Sequence, residues 1–222
     1  MSHYEGTGQE IWEDTDHNVD VVVIIAGTGG TLCGIGRWFK DHNPNVKIVG
    51  VDPVGSILAA PSDLNEQMAS YLVEGVGYDF IPWVLDRTVV DKWVKSTDKE
   101  SFYWARRLIK DEGLLVGGSC GGAFKAALDE AWELGEGKRV VVILPDSVWN
   151  YMTKFLSDDW LYEKGFIDEK TLVDNYTPKL IPGKGWGQNF TIAEMTLNNP
   201  ITIHMNCTVK QTITKMQNLS FH

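Results

Sequence analysis

The chain has 222 residues, of which 20 are Lys or Arg and 30 are Asp or Glu, for a net charge of −10. No basic face is visible, which argues against nucleic acid, whose phosphates are neutralised by clustered Lys and Arg. The most apolar run, Val21 to Ala26, is far too short to span a bilayer, so no membrane partner is expected either. At 43% hydrophobic and 23% charged residues, usage is ordinary for a globular chain that buries a core. The polar opening residues, Met1 to Glu10, carry no signal-peptide core. Three scattered cysteines (Cys33, Cys120, Cys207) form neither a disulfide framework nor a zinc pattern. The five histidines stand apart, so no metal site is expected. A reducing compartment, the cytoplasm, fits this usage.

In chain order, a short amphipathic helix is predicted around Gly8 to Glu13. The β-branched run Val21 to Ala26 then reads as a central parallel strand covered on both faces. The turn Gly27-Thr28-Gly29-Gly30-Thr31 leads into a helix over about Leu32 to Asp41. That helix stops at Asn43-Pro44, because proline forces its predecessor out of helical geometry. A second strand, Val46 to Val51, completes a βαβ unit. Residues 53 to 82 are punctuated by Pro, Gly and Ser and read as loops with one short helix near Asp63 to Met68. Thr88-Val89-Val90 looks like a strand. The capping box Thr97-x-x-Glu100 opens a helix over Asp98 to Glu112, which Gly113 closes. GGSCGG at 117–122 opens another helix to about Leu134, and Val140 to Leu144 is a further apolar strand. This alternation predicts an α/β fold with a doubly wound, mostly parallel sheet. The domain expected to hold it spans 1–176. Two prolines and three glycines mark a linker over 177–187. The short strand at 200–203 and helix at 208–217 read as the opening of a second small α/β domain, 188–222, too short to close a core of its own.

The strongest chemical signal is the turn after the first strand. Glycines let backbone approach an anion, the N–H groups at a helix start point at it, and Thr28 and Thr31 add hydroxyls. The spacing is not that of a dinucleotide fingerprint, because residue 32 is Leu, and no Gly-Lys-Ser/Thr follows as in a P-loop. A tight turn that merely packs is the plain alternative. Asp52, about twenty residues on, could serve a ribose, although Pro53 and the glycine spacing oppose that reading. The second candidate is Ser119, exposed by four glycines at a helix start. Gly117-x-Ser119-x-Gly121 also has the form of a serine nucleophile elbow, but no histidine is placed to serve it. His3 and His17 precede the first strand, His42 ends a helix, and His204 and His222 lie in the tail. Cys120 reads as a small packed thiol. The third candidate is Glu74 to Pro82, where Gly75, Gly77 and Tyr78 combine mobile backbone with an aromatic hydroxyl, as site loops often do.

At this density of motifs a resemblance becomes plain. GTGGT, GVDPVGSILA at 50–59, EGVGYDFIP at 74–82, LDRTVVDKW at 85–93, EGLLVGGSCGG at 112–122 and VVILPDSVWNYMTKFLSDDW at 141–160 resemble the cystathionine β-synthase family, over about residues 3 to 165. The resemblance implies fold type II among pyridoxal 5′-phosphate enzymes, with this chain as the later part of the catalytic core. The residues after 187 resemble the start of the family's paired regulatory (Bateman-type) module. It further implies that Gly27, Thr28, Gly29, Gly30 and Thr31 hold the cofactor phosphate and that Ser119 hydrogen-bonds the pyridine nitrogen. Gly75 and Tyr78 would lie by the substrate entrance. The implied reaction joins serine and homocysteine into cystathionine in a homo-oligomeric enzyme. Two departures stand out. No lysine here sits in the family's glycine-serine-valine-lysine setting, so the Schiff-base lysine is not assigned and the chain alone is expected to be inactive. A non-catalytic partner of full-length subunits is the alternative. Trp149 stands where the family pattern has arginine. A lobe that precedes this portion in the family would cover the sheet, so exposed apolar surface, some of it tryptophan, is also expected.

Overall fold

Five consecutive β-branched residues, Val21–Ile25, form β1, and every one of them is buried. Parallel partners lie on both sides: β2 (Lys47–Pro53) on one and β4 (Val140–Val142) on the other, with β3 (Lys92–Ser96) beyond β2. The strand order is β3-β2-β1-β4. Side chains alternate across a strand, so β1 feeds two cores at once. Val22 and Ile24 pack with Ile48 of β2 and with Leu32, Ile35 and Phe39 of α2 (Gly30–His42). Val21, Val23 and Ile25 pack on the opposite face with Phe102 and Ala105 of α3 (Asp98–Glu112) and Ala123 and Ala126 of α4 (Gly118–Leu134). The computed structural model describes residues 2–171. The chain divides into two units, Met1–Thr177 and Pro178–His222. The predicted linker at 177–187 and the predicted strand, helix and regulatory domain of 188–222 therefore lie outside the described residues.

Several predicted boundaries shift for physical reasons. The N-terminal helix begins earlier, as a π-helical turn (His3–Thr7) that runs into α1 (Gly8–Asp14). Thr88-Val89-Val90 is not a strand. Asp86 accepts the Thr88 N–H and winds Arg87–Val89 into a 3-10 turn. The strand is instead the charged run Lys92–Ser96, whose lysines find carboxylates on neighbouring elements: Lys92 on Glu130 and Lys95 on Asp52. The helix predicted near Asp63 to Met68 shrinks to a 3-10 turn, Ser62–Asn65. β4 stops at Val142 and is only half-buried, because among the described residues it pairs with β1 alone. The capping box of α3 forms as read, with the Thr97 hydroxyl accepting from the Glu100 N–H and Gly113 closing the helix at φ +71°.

Both faces of the sheet are covered within the described residues, so the exposed apolar surface lies elsewhere. Trp83, Trp132 and Trp149 stand exposed on a loop, on the outer side of α4 and on a 3-10 turn (Val148–Tyr151). No helix among the described residues is long and apolar enough to cross a membrane, and no cluster of three metal-ligating side chains occurs among them.

Candidate functional site

Four residues past the end of β1, where the chain turns into α2, Gly29 stands at φ +88°, a left-handed conformation that favours glycine. A Cβ on it would come within 2.6 Å of Leu85. The turn leaves its donors open: the N–H groups of Gly27, Thr28 and Gly29 make no hydrogen bond among the described residues. The first turn of α2 contributes further N–H groups that have no acceptor within the helix, together with the positive end of the helix dipole. Backbone in this arrangement receives an anion.

The loop carrying Gly75 and Tyr78 lies directly on this turn. The Gly77 N–H donates to the Ala26 carbonyl at 2.9 Å, and a Cβ on Gly27 would stand 2.7 Å from the Gly75 oxygen. Gly75 (φ +78°) has open space where a side chain would be. Ser56 anchors Tyr78 by accepting its N–H and donating to its carbonyl, at 2.9 and 3.1 Å. The Tyr78 ring packs against Phe80, and its hydroxyl makes no hydrogen bond among the described residues.

Ser119 occupies the first turn of α4, 4% exposed, and its hydroxyl likewise makes no hydrogen bond among the described residues. The loop after β4 fixes this helix start. Gly117 N–H donates to the Asp146 carbonyl at 3.0 Å, and Gly117 approaches the Asp146 carboxylate so closely that a Cβ would stand 2.1 Å from its Oδ1. Tyr151 donates its hydroxyl to Asp146 Oδ2 at 2.5 Å. Burial, with that hydrogen bond, raises the Tyr151 phenol well above its ordinary range. At the other end of α4, buried Glu130 bridges Lys47 and Lys92, which open β2 and β3. The N-terminus of α4 therefore faces the carboxyl edge of the sheet. Ligands of open α/β sheets bind along that edge, and the Gly27 turn lies on it too.

Other candidates from the sequence are committed elsewhere. Asp52 is fully buried, accepting from Lys95 Nζ at 2.7 Å and from the Ala59 N–H at 3.1 Å, so it serves no ribose. Cys120 is buried, and burial pushes its thiol up to about 11, so it is a packed thiol and no nucleophile at neutral pH. No histidine among the described residues serves Ser119. His17 stacks on Trp12 and His42 on Trp38. His3, set aside on sequence because it precedes the first strand, instead reaches the turn: its Nε2 lies 3.2 Å from Thr31 Oγ1. Gly34 was the available signal. A Cβ there would stand 2.6 Å from that of His3, so α2 needs a glycine where the N-terminal helix crosses it.

Residues 1–146 match the family described as pyridoxal-phosphate dependent enzyme. The chain belongs to that family. Over 222 residues it is 49% identical to the cystathionine beta-synthase of Oryctolagus cuniculus, and over 221 residues 48% identical to that of Dictyostelium discoideum. Those matches take in 100% of this chain but 39% and 43% of the two relatives, so it spans about two fifths of their length. Among solved structures, the O-acetylserine dependent cystathionine beta-synthase from Helicobacter pylori is 37% identical with a TM-score of 0.63, over 69% of this chain and 48% of that one. A hydrogen sulfide-producing enzyme from Fusobacterium nucleatum is 35% identical with a TM-score of 0.62, over 68% and 50%. These likenesses agree with the fold type II architecture that the motifs imply. Pyridoxal phosphate is the family's cofactor, and the open donors of the Gly27 turn fit its phosphate. When bound, the cofactor supplies an electron sink for an amino-acid substrate.

Proposed function

We propose that this chain contributes to pyridoxal-phosphate-dependent β-replacement, in which serine and homocysteine are joined to cystathionine with loss of water. The observation that carries the reading is the set of open N–H donors at Gly27, Thr28 and Gly29, roofed by the loop of Gly75 and Tyr78. In this reading Gly27, Thr28, Gly29, Gly30 and Thr31 hold the cofactor phosphate. The buried Ser119 hydroxyl offers a neutral partner to the pyridine nitrogen, which tempers the electron sink and favours β-replacement over transamination. Gly75 and Tyr78 line the substrate's way in, the open space at Gly75 admitting its backbone-like carboxylate and the Tyr78 hydroxyl offering a hydrogen bond. The likeness to relatives named cystathionine beta-synthase supports serine and homocysteine as the substrates.

No lysine of this chain is assigned to the covalent link with the cofactor. The most buried described lysine with an ion-pair partner, Lys95, is held by Asp52, the Ser56 carbonyl and Asn65. Covalent catalysis of this class needs a lysine free to bond the cofactor and move protons, so the 222-residue chain by itself should form no cystathionine. Equilibrium dialysis tests the cradle: pyridoxine 5′-phosphate should be retained far better than pyridoxine, and equal retention would remove the phosphate reading. Substrate class is read in the cells that make the protein. Deleting the gene should abolish conversion of labelled serine and homocysteine to cystathionine in extracts. If conversion of O-acetylserine and sulfide to cysteine is lost instead, the substrate assignment is wrong.

A further inference from the structure

His3 is joined to two hydroxyls at once. Its Nδ1 lies 3.0 Å from Thr7 Oγ1, one helical turn along the same segment, and its Nε2 lies 3.2 Å from Thr31 Oγ1 in the first turn of α2. The ring is half-buried, and Gly34 fixes its backbone, since Cβ of His3 occupies the space beside that glycine. Neither threonine hydroxyl has another hydrogen-bond partner among the described residues. The imidazole therefore decides which way the Thr31 proton points.

We propose that His3 is a positioning residue of the phosphate turn, holding the Thr31 hydroxyl so that its proton faces a bound phosphate monoester. The proposal rests on the phosphate reading above. A neutral imidazole carries one N–H and one lone pair, so the chain of hydrogen bonds has two polarities. If Nδ1 carries the proton, it donates to Thr7, Nε2 accepts from Thr31, and the Thr31 oxygen turns a lone pair toward the anion. If Nε2 carries it, the Thr7 hydroxyl donates to Nδ1, Nε2–H donates to Thr31 Oγ1, and the Thr31 proton is released toward the phosphate. Only the second polarity adds the Thr31 hydroxyl to the donors of the cradle, and a charge-assisted bond to phosphate favours it. The phosphate thereby selects the tautomer, Thr7 supports it by donating to Nδ1, His3 transmits it and Thr31 delivers the proton. No net charge is created.

The test uses the full chain and pyridoxine 5′-phosphate, which carries the phosphate without an aldehyde. Thr31→Val should weaken its affinity about tenfold, as for loss of a hydrogen bond to a charged group. His3→Phe, which keeps a ring but no donor, should match that loss. The double variant should bind no worse than either single one. His3→Gln, whose amide N–H reaches the position of Nε2, should recover most of the affinity. Ring nitrogen shifts by NMR should show the proton on Nε2. Losses that add in the double variant, unchanged affinity in His3→Phe, or a proton on Nδ1 would each overturn the proposal and leave the phosphate turn standing. Unchanged affinity in Thr31→Val would remove the phosphate reading and the proposal together. If His3→Phe fails to fold, Thr7→Val leaves the ring in place: a severalfold loss supports the proposal, and wild-type affinity overturns it.

Discussion

The carbonyl oxygen of Gly75 lies 2.7 Å from the point where a Cβ on Gly27 would stand. Two loops that are distant in sequence thus touch through backbone, with no side chain between the proposed phosphate turn and the proposed substrate loop at this point. Gly27→Ala must push them apart, a form of overpacking that costs about 1–3 kcal/mol. Thermal melts should fall accordingly, and retention of pyridoxine 5′-phosphate should fall with them. A fully stable variant would show that the contact is loose.

Gly29→Val combines two penalties. It places a β-branched residue at φ +88° and drives its Cβ to 2.6 Å from Leu85. Strain of this kind costs on the order of 1–3 kcal/mol before the clash is counted. Binding of pyridoxine 5′-phosphate should disappear, measured by equilibrium dialysis on protein whose circular dichroism confirms that the sheet persists. Retained binding would take the turn out of the site.

Glu130 is 1% exposed and bridges Lys47 and Lys92 at 2.5 and 2.6 Å. Burial pushes its carboxyl up, but hydrogen bonds from the two lysines outweigh burial and hold it below the ordinary value. A depressed folded-state value means that the stabilisation is present at neutral pH and is lost as pH falls past the ordinary carboxylate range and through the lowered folded-state value. Glu130→Gln should therefore lose about 2–4 kcal/mol at pH 7, toward the lower end because both lysines reach solvent. In urea unfolding the gap to wild type should narrow at pH 3. A gap that stays constant with pH would show that packing, not charge, is responsible.

Cys120 should resist alkylation. Its thiol is buried, and burial raises it to about 11, leaving little thiolate at pH 8. Iodoacetamide on the native chain, read by peptide mass mapping, should leave Cys120 unmodified until denaturant is added. Rapid native labelling would reopen a nucleophilic role.

The elements legible in the sequence were those whose cause is local. The β-branched run of β1 needs burial wherever it goes, the Thr97–Glu100 capping box is closed within one helical turn, and the glycine spacing of 27–31 sets the shape of its own turn. Candidate residues in GTGGT, GGSCGG and EGVGYDFIP could be named for the same reason. Long-range pairing settled the rest. Lys92–Ser96 is a strand that local sequence does not announce, formed where Glu130 and Asp52 arrive from elsewhere to neutralise its lysines. Asp52 looks like a ligand residue until Lys95 is seen against it. His3 looks idle until the crossing at Gly34 carries its ring to Thr31. Sequence specifies conformations that a few neighbouring residues enforce by sterics and capping. Which charge meets which, and which hydroxyl an imidazole reaches, depends on the packing of segments dozens of residues apart, and only the folded chain decides that.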